Sequence, residues 1–243
     1  DLKPSNLLVN KDCTLRIGDF GLARGVDDAA TDVNQLTEYV VTRWYRAPEL
    51  LCGNENYGPP IDLWSVGCIL AEMLGRQPLF PGRDVLTQLK LIVTIVKVPD
   101  PAVLATFVHN AKAIEFILQI AKQAPPPPPF AERFPNAPEG SIDLLEKLLT
   151  FDPSQRISAA DALNHPFLRP LHDLNTEPTA SPFDFSFENA TDSELREHLD
   201  AEVRRFHPES IAPASHHADA PIGSAEDSAA TMTEMVEAGS LDE

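Results

Sequence analysis

This 243-residue sequence predicts a mainly α-helical fold with one short β-hairpin near the N-terminus and a disordered, acidic C-terminal tail. Three observations carry that expectation. Segments between residues 62 and 149 place apolar residues at helical spacing, bounded by Gly and Pro. Two β-prone triplets, Leu7-Leu8-Val9 and Leu15-Arg16-Ile17, flank the turn composition Asn10-Lys11-Asp12. Residues 208–243 are rich in Ala, Ser, Glu, Asp and His and hold no aromatic residue, so they lack the apolar surface that offsets the entropy of ordering.

The elements follow in order. After the hairpin, residues 25–36 have no period and read as a loop. Asp62–Leu74 reads as a buried helix, apolar on most sides, with Gly75 as its stop. Asp84–Val96 is a second helix, ended near Pro99. Ile142–Leu149 is a third, with Ile142, Leu145, Leu148 and Leu149 on one face. Ser158 and Asp161 form a capping pair for a short helix that stops before Pro166. Pro125–Pro129 lacks backbone donors and has fixed φ, so it must be extended, in polyproline II form. On sequence alone it reads as a stiff connector in preference to a ligand for an aromatic groove.

The formal charge of −18 is uneven: residues 171–243 hold 3 basic and 17 acidic residues, and the first 170 hold 16 and 20. The body is near balance, and no basic face suggests nucleic acid. Cys13, Cys52 and Cys68 are few, odd in number and without zinc spacing, which fits a reduced intracellular protein. His216-His217 reads as solvated. The apolar run Leu89–Val98 carries Lys90 and Lys97 and is too short to span a bilayer. The chain has no initiating Met and begins inside a motif, so it is expected to be a partial sequence.

That motif is Asp1-Leu2-Lys3-Pro4-Ser5-Asn6. Asp19-Phe20-Gly21 follows 13 residues after Asn6, and Ala47-Pro48-Glu49 begins 26 residues after Gly21. Asp-Phe-Gly alone is weak and the opening six residues alone are suggestive; in this order, joined by a hairpin, they form the second half of a phosphoryl-transfer set. That chemistry needs positioning, magnesium and charge neutralisation. Asp1 suits the substrate hydroxyl proton, Lys3 the transferring group, and Asn6 and Asp19 offer oxygens to magnesium.

The chain resembles the C-terminal lobe of a eukaryotic protein kinase (α+β overall) over roughly residues 1–206. Lys3-Pro4 resembles the serine/threonine class. Thr37-Glu38-Tyr39, then Val40 to Glu49, resembles the mitogen-activated kinases of the extracellular-signal-regulated type. Asp62 to Ile69, Pro78 to Gly82, Phe151 to Ile157 and His165 to Leu168 continue the likeness. The resemblance implies ATP and Mg2+ as cofactors and Leu8 under the adenine. It implies dual phosphorylation of Thr37 and Tyr39 by an upstream dual-specificity kinase, with Arg24, Arg43 and Arg46 gripping the phosphates. It implies a structural Glu49–Arg156 ion pair, Asp62 bracing the catalytic loop, substrates with Ser/Thr-Pro sites, and cytoplasmic and nuclear location. No membrane or nucleic-acid partner is implied.

Departures are local. Lys112-Ala113 is followed by Ile114 where the family usually has Arg, and the five prolines are unusual. Thr176 stands where the acidic docking site often has a second acid, leaving Asp173 and Glu177 and predicting weaker docking of basic peptides. The expected divisions are a partial kinase domain over 1–168, an extension with a docking-like segment and a helix over 169–207, and a tail over 208–243. The chain alone is expected to be inactive and poorly soluble. A non-catalytic scaffold is the alternative, disfavoured because all four visible catalytic groups are intact.

Overall fold

Leu7-Leu8-Val9 (β1, Leu7–Val9) and Leu15-Arg16-Ile17 (β2, Leu15–Ile17) pair antiparallel in the computed structural model, with Leu7 opposite Ile17 and Val9 opposite Leu15. The turn closes through Cys13, whose φ of +65° reverses the chain, and through the Asp12 carboxylate, which accepts the Thr14 N–H at 3.0 Å. The described residues are 1–23, 43–54, 58–173, 187 and 190–208. Arg24, Thr37, Tyr39, Glu177 and all but the first residue of the predicted tail lie outside them.

Among the described residues, helices dominate: α1 (Pro48–Leu51), α2 (Pro60–Gly75), α3 (Val85–Ile95), α4 (Pro101–Phe107), α5 (Ala111–Gln123), α6 (Phe130–Arg133), α7 (Ser141–Leu148), α8 (Ala159–Leu163) and α9 (Asp192–Phe206). The chain divides into two units, Asp1–Phe185 and Ser186–Glu243. In the second, α9 opens on a reciprocal capping box between Thr191 and Glu194. No described helix is long and apolar enough to cross a membrane.

The core of the first unit is built around α2. Trp64, Cys68 and Ala71 are buried, and the Trp64 ring stacks on Phe80 with centroids 5.9 Å apart. Leu144, Leu145, Leu148 and Leu149 meet α2 from α7; Ile142, predicted on that face, is half-buried because Leu144 takes the inner position. At this crossing a Cβ on Gly67 would stand 2.7 Å from Leu149 Cδ2, so only glycine permits the approach. Ile92, Val93, Leu104, Val108 and Ile117 knit α3, α4 and α5 together.

The end of α2 corrects one expectation. Gly75 is not the stop but the last helical residue, and Arg76 takes the left-handed turn at φ 59°. Gly75 serves close packing instead: a Cβ there would lie 2.9 Å from the Phe134 ring. The caps of α3 and α8 follow their side chains. Asp84 accepts from the Thr87 N–H at 2.7 Å, and Ser158 accepts from the Asp161 N–H at 3.1 Å while donating to its carboxylate.

Candidate active site

Pro4, with preset φ, opens a short 3₁₀ turn over Pro4–Asn6 and so folds the first six residues back on themselves. Lys3 Nζ lies 2.6 Å from Asp1 Oδ2, with the two side chains only 16% and 12% exposed. This shielding strengthens the pair relative to one in open water. The Asn6 side-chain amide donates to the Asp1 carbonyl at 3.0 Å, and Asn6 is buried. Three of the sequence-predicted residues therefore form one cluster.

The hairpin brings in the fourth. Because Leu7 pairs with Ile17, Gly18 falls beside Asn6 and donates its N–H to the Asn6 carbonyl at 2.8 Å. Asp19 thus emerges at the same end of the hairpin as Asn6. It sits at φ +59°, a region non-glycine residues seldom occupy. Its Oδ1 accepts the Gly21 N–H at 3.3 Å.

The donor set suits magnesium. Asn6 commits its amide nitrogen to Asp1, which leaves the amide oxygen as the ligand atom, and Asp19 keeps a second carboxylate oxygen. Both are hard oxygen donors. Among the described residues no group of three or more His, Cys, Asp or Glu is placed to hold a metal. Magnesium held by one or two protein oxygens and completed by phosphate and water needs no such group.

Asp1 lines a cleft whose wall includes Tyr45, Arg46, Ala47 and Leu50, with Ile61, Asp62 and Ser65 also lining it. Asp62 is exposed in the first turn of α2; among the described residues its carboxylate makes no hydrogen bond to residues 1–6.

The wall is pinned from behind. Trp44 Nε1 donates to the Gly82 carbonyl at 3.0 Å, and Arg43 donates to the Arg83 carbonyl at 3.0 Å. The fully buried Gln88 accepts the Gly82 N–H at 2.9 Å and donates to the Trp44 carbonyl at 3.3 Å. Ser65 Oγ donates to the Tyr45 carbonyl at 2.8 Å, and the Tyr45 hydroxyl donates to Glu72 at 2.7 Å. Burial first, and the Glu72 carboxylate second, push the Tyr45 phenol well above its usual range, so it remains a donor. Ser65, Glu72 and Gln88 were not singled out from sequence. Gln88, a polar residue inside an apolar helical run, was the available signal.

Glu49 and Arg156 form a bidentate ion pair at 2.8 and 3.1 Å, both buried. The guanidinium also donates to the Thr150, Pro60 and Phe151 carbonyls and lies 5.2 Å over the Trp64 ring. All five of its N–H groups are used.

Leu8 disagrees with what it would suggest taken alone. An apolar residue in a β-prone run reads as core, yet Leu8 is 59% exposed on β1, paired with Arg16. A two-stranded sheet has no layer of its own to bury it. Asp173 is exposed, while Arg24, Thr37, Tyr39 and Glu177 lie outside the described residues.

The protein kinase domain family matches residues 1–168. The chain is 50% identical over 212 residues to "Mitogen-activated protein kinase homolog MMK2" of Medicago sativa, covering 86% of this chain and 55% of that protein. It is 49% identical over 212 residues to "Mitogen-activated protein kinase 4" of Arabidopsis thaliana, covering 86% and 54%. To "Mitogen-activated protein kinase homolog NTF6" of Nicotiana tabacum it is 47% identical over 214 residues, covering 87% and 56%. The chain spans about half the length of the curated relatives it matches.

Proposed function

The chain belongs to the protein kinase family, in its mitogen-activated branch, and from that premise we propose that the protein transfers the terminal phosphoryl group of ATP to serine and threonine hydroxyls. The observation that carries this is the cluster of Asp1, Lys3 and Asn6 at the hairpin end from which Asp19 emerges, with Asp1 lining a cleft. ATP with its magnesium supplies the transferable group and neutralises its charge. Asn6 and Asp19 would hold the metal through their side-chain oxygens. Lys3 orients the Asp1 carboxylate and places positive charge beside the transferred group. Asp1 takes the proton of the substrate hydroxyl as that oxygen bonds to phosphorus; the electron pair of the broken P–O bond leaves on ADP.

The same reading extends to control. Phosphates on Thr37 and Tyr39, placed by an upstream dual-specificity kinase, each add about −2 charge and are gripped by Arg24, Arg43 and Arg46. In support, residues 43–45 are pinned to the body, giving the phosphorylated segment one rigid end. Pro after the acceptor residue, docking of basic peptides at Asp173 and Glu177, and cytoplasmic and nuclear residence belong to this reading too.

The test is phosphate transfer from labelled ATP to a Ser-Pro peptide by the full-length protein, activated on Thr37 and Tyr39. Asp1→Asn lowers kcat by about 10²–10⁴-fold with nucleotide affinity kept. Asp19→Ala abolishes magnesium-dependent turnover. An Asp1→Asn protein that turns over at the wild-type rate rejects the assignment.

A further inference from the structure

The proline run lies outside the candidate active site and has the extended form the sequence predicts. Its flanks have polyproline II angles: Ala124 has φ −76° and ψ 146°, and Pro129 has φ −54° and ψ 141°. Residues between them are neither helix nor strand. Exposure repeats every third residue. Ala124 and Pro127 are half-buried and Phe130 is buried, whereas Pro125, Pro126, Pro128 and Pro129 are exposed. That period is the three residues per turn of a polyproline II helix. One edge lies on the body and two edges face solvent.

Both ends are held. α5 precedes the run, and Phe130 stacks on Phe134 with centroids 6.2 Å apart. The displayed edges are therefore preformed and lose little entropy on binding. Proline contributes no N–H, and among the described residues no donor reaches the carbonyl oxygens of Pro125–Pro128, so these oxygens are available to donors on a partner. Lys122 is exposed at the last turn of α5, directly before the run.

We propose that Lys122–Pro129 is a displayed ligand for a polyproline-reading domain of the SH3 type. The ridges of Pro125 and Pro128 fit between parallel aromatic rings. Tryptophan and tyrosine donors in that groove satisfy the proline carbonyls. An acidic rim pairs with Lys122.

The test titrates the purified full-length protein into a panel of purified SH3 domains and follows the fluorescence of their groove tryptophan, with a WW domain as comparison. Saturable binding to at least one SH3 domain is expected. Pro125→Ala/Pro128→Ala weakens it by about tenfold or more, and Lys122→Glu by about threefold to tenfold. Pro127→Ala, on the inward edge, changes it by less than about twofold. The altered outward side chains are exposed, so circular dichroism and melting temperature stay at the wild-type values. Absence of saturable binding across the panel overturns the proposal. So does an equal loss with Pro127→Ala, or binding to the WW domain alone and indifferent to Lys122→Glu.

Discussion

Glu49→Ala tests how the kinase body holds its two ends together. The change removes a carboxylate that takes two N–H groups of Arg156 at 2.8 and 3.1 Å, across 107 residues of sequence. The guanidinium left behind has a fully buried side chain. Its three bonds to backbone carbonyls and its place over Trp64 prevent it from swinging out to water. An unpaired buried charge of this kind costs about 3–5 kcal/mol. For a unit of this size each kcal/mol moves Tm by roughly 2–4 °C, so Tm falls by roughly 6–20 °C. Arg156→Met goes further, by about 1 kcal/mol or more, because three carbonyls lose their donor as well. Glu49→Gln costs less than either, since one acceptor oxygen stays. Combining Glu49→Ala with Arg156→Met gives a loss smaller than the sum of the singles, by about 1–3 kcal/mol. Thermal unfolding followed by circular dichroism and by tryptophan emission reads all five proteins. Additive losses, or a Glu49→Ala shift under about 2 °C, refute the account of a buried, fully committed guanidinium.

Gly82→Ala puts a Cβ 2.4 Å from Gln88 Oε1 and 2.6 Å from its Cα; stability should fall by about 1–3 kcal/mol, and peptide KM should rise because the cleft wall loses its Trp44 anchor. A peptide KM unchanged in Gly82→Ala removes the link between that anchor and the wall. Burial, with Glu49 adding to it, pushes the Cys52 thiol up to about 12, and burial pushes Cys68 higher still. Ellman's reagent at pH 8 should then label exposed Cys13 quickly, and all three thiols only in denaturant; three fast thiols in the native protein would contradict this. Lys147 at 2.6 Å, then His165 at 2.6 Å, hold the Asp143 carboxyl below its usual range. A depressed folded-state value means this stability is present at neutral pH and is lost as pH falls below about 4. Asp143 is mostly exposed, so the effect is under about 1 kcal/mol after screening, and Asp143→Asn should flatten only the acid limb of a stability–pH curve. An unchanged acid limb rules the cluster out as a contributor.

Much of the site was legible because its parts are local. Asp1, Lys3 and Asn6 lie within one turn. The run from Leu7 to Ile17 has the composition of a hairpin, and an antiparallel hairpin must return Asp19 to the end where it left Asn6. The caps at Asp84 and Ser158 were legible for the same reason, since each side chain reaches a backbone N–H three residues on. Gly75 was misread because a glycine after an apolar helix serves equally as a left-handed stop or as a place of close approach. Only the position of Phe134 separates the two. Ser65, Glu72 and Gln88 were passed over because each satisfies a partner distant in sequence, and a single polar residue in an apolar run does not name that partner.

The sequence by itself therefore determined the kinase family, the hairpin, the principal helices and the order of the candidate catalytic groups, all of which rest on short-range spacing and backbone preference. The tertiary structure alone decided which edge of the proline run faces water, why Gly67, Gly75 and Gly82 carry no side chain, and what holds the cleft wall. Those depend on which surfaces meet at van der Waals distance across tens of residues, and close packing, unlike a turn or a cap, leaves no local pattern in the chain.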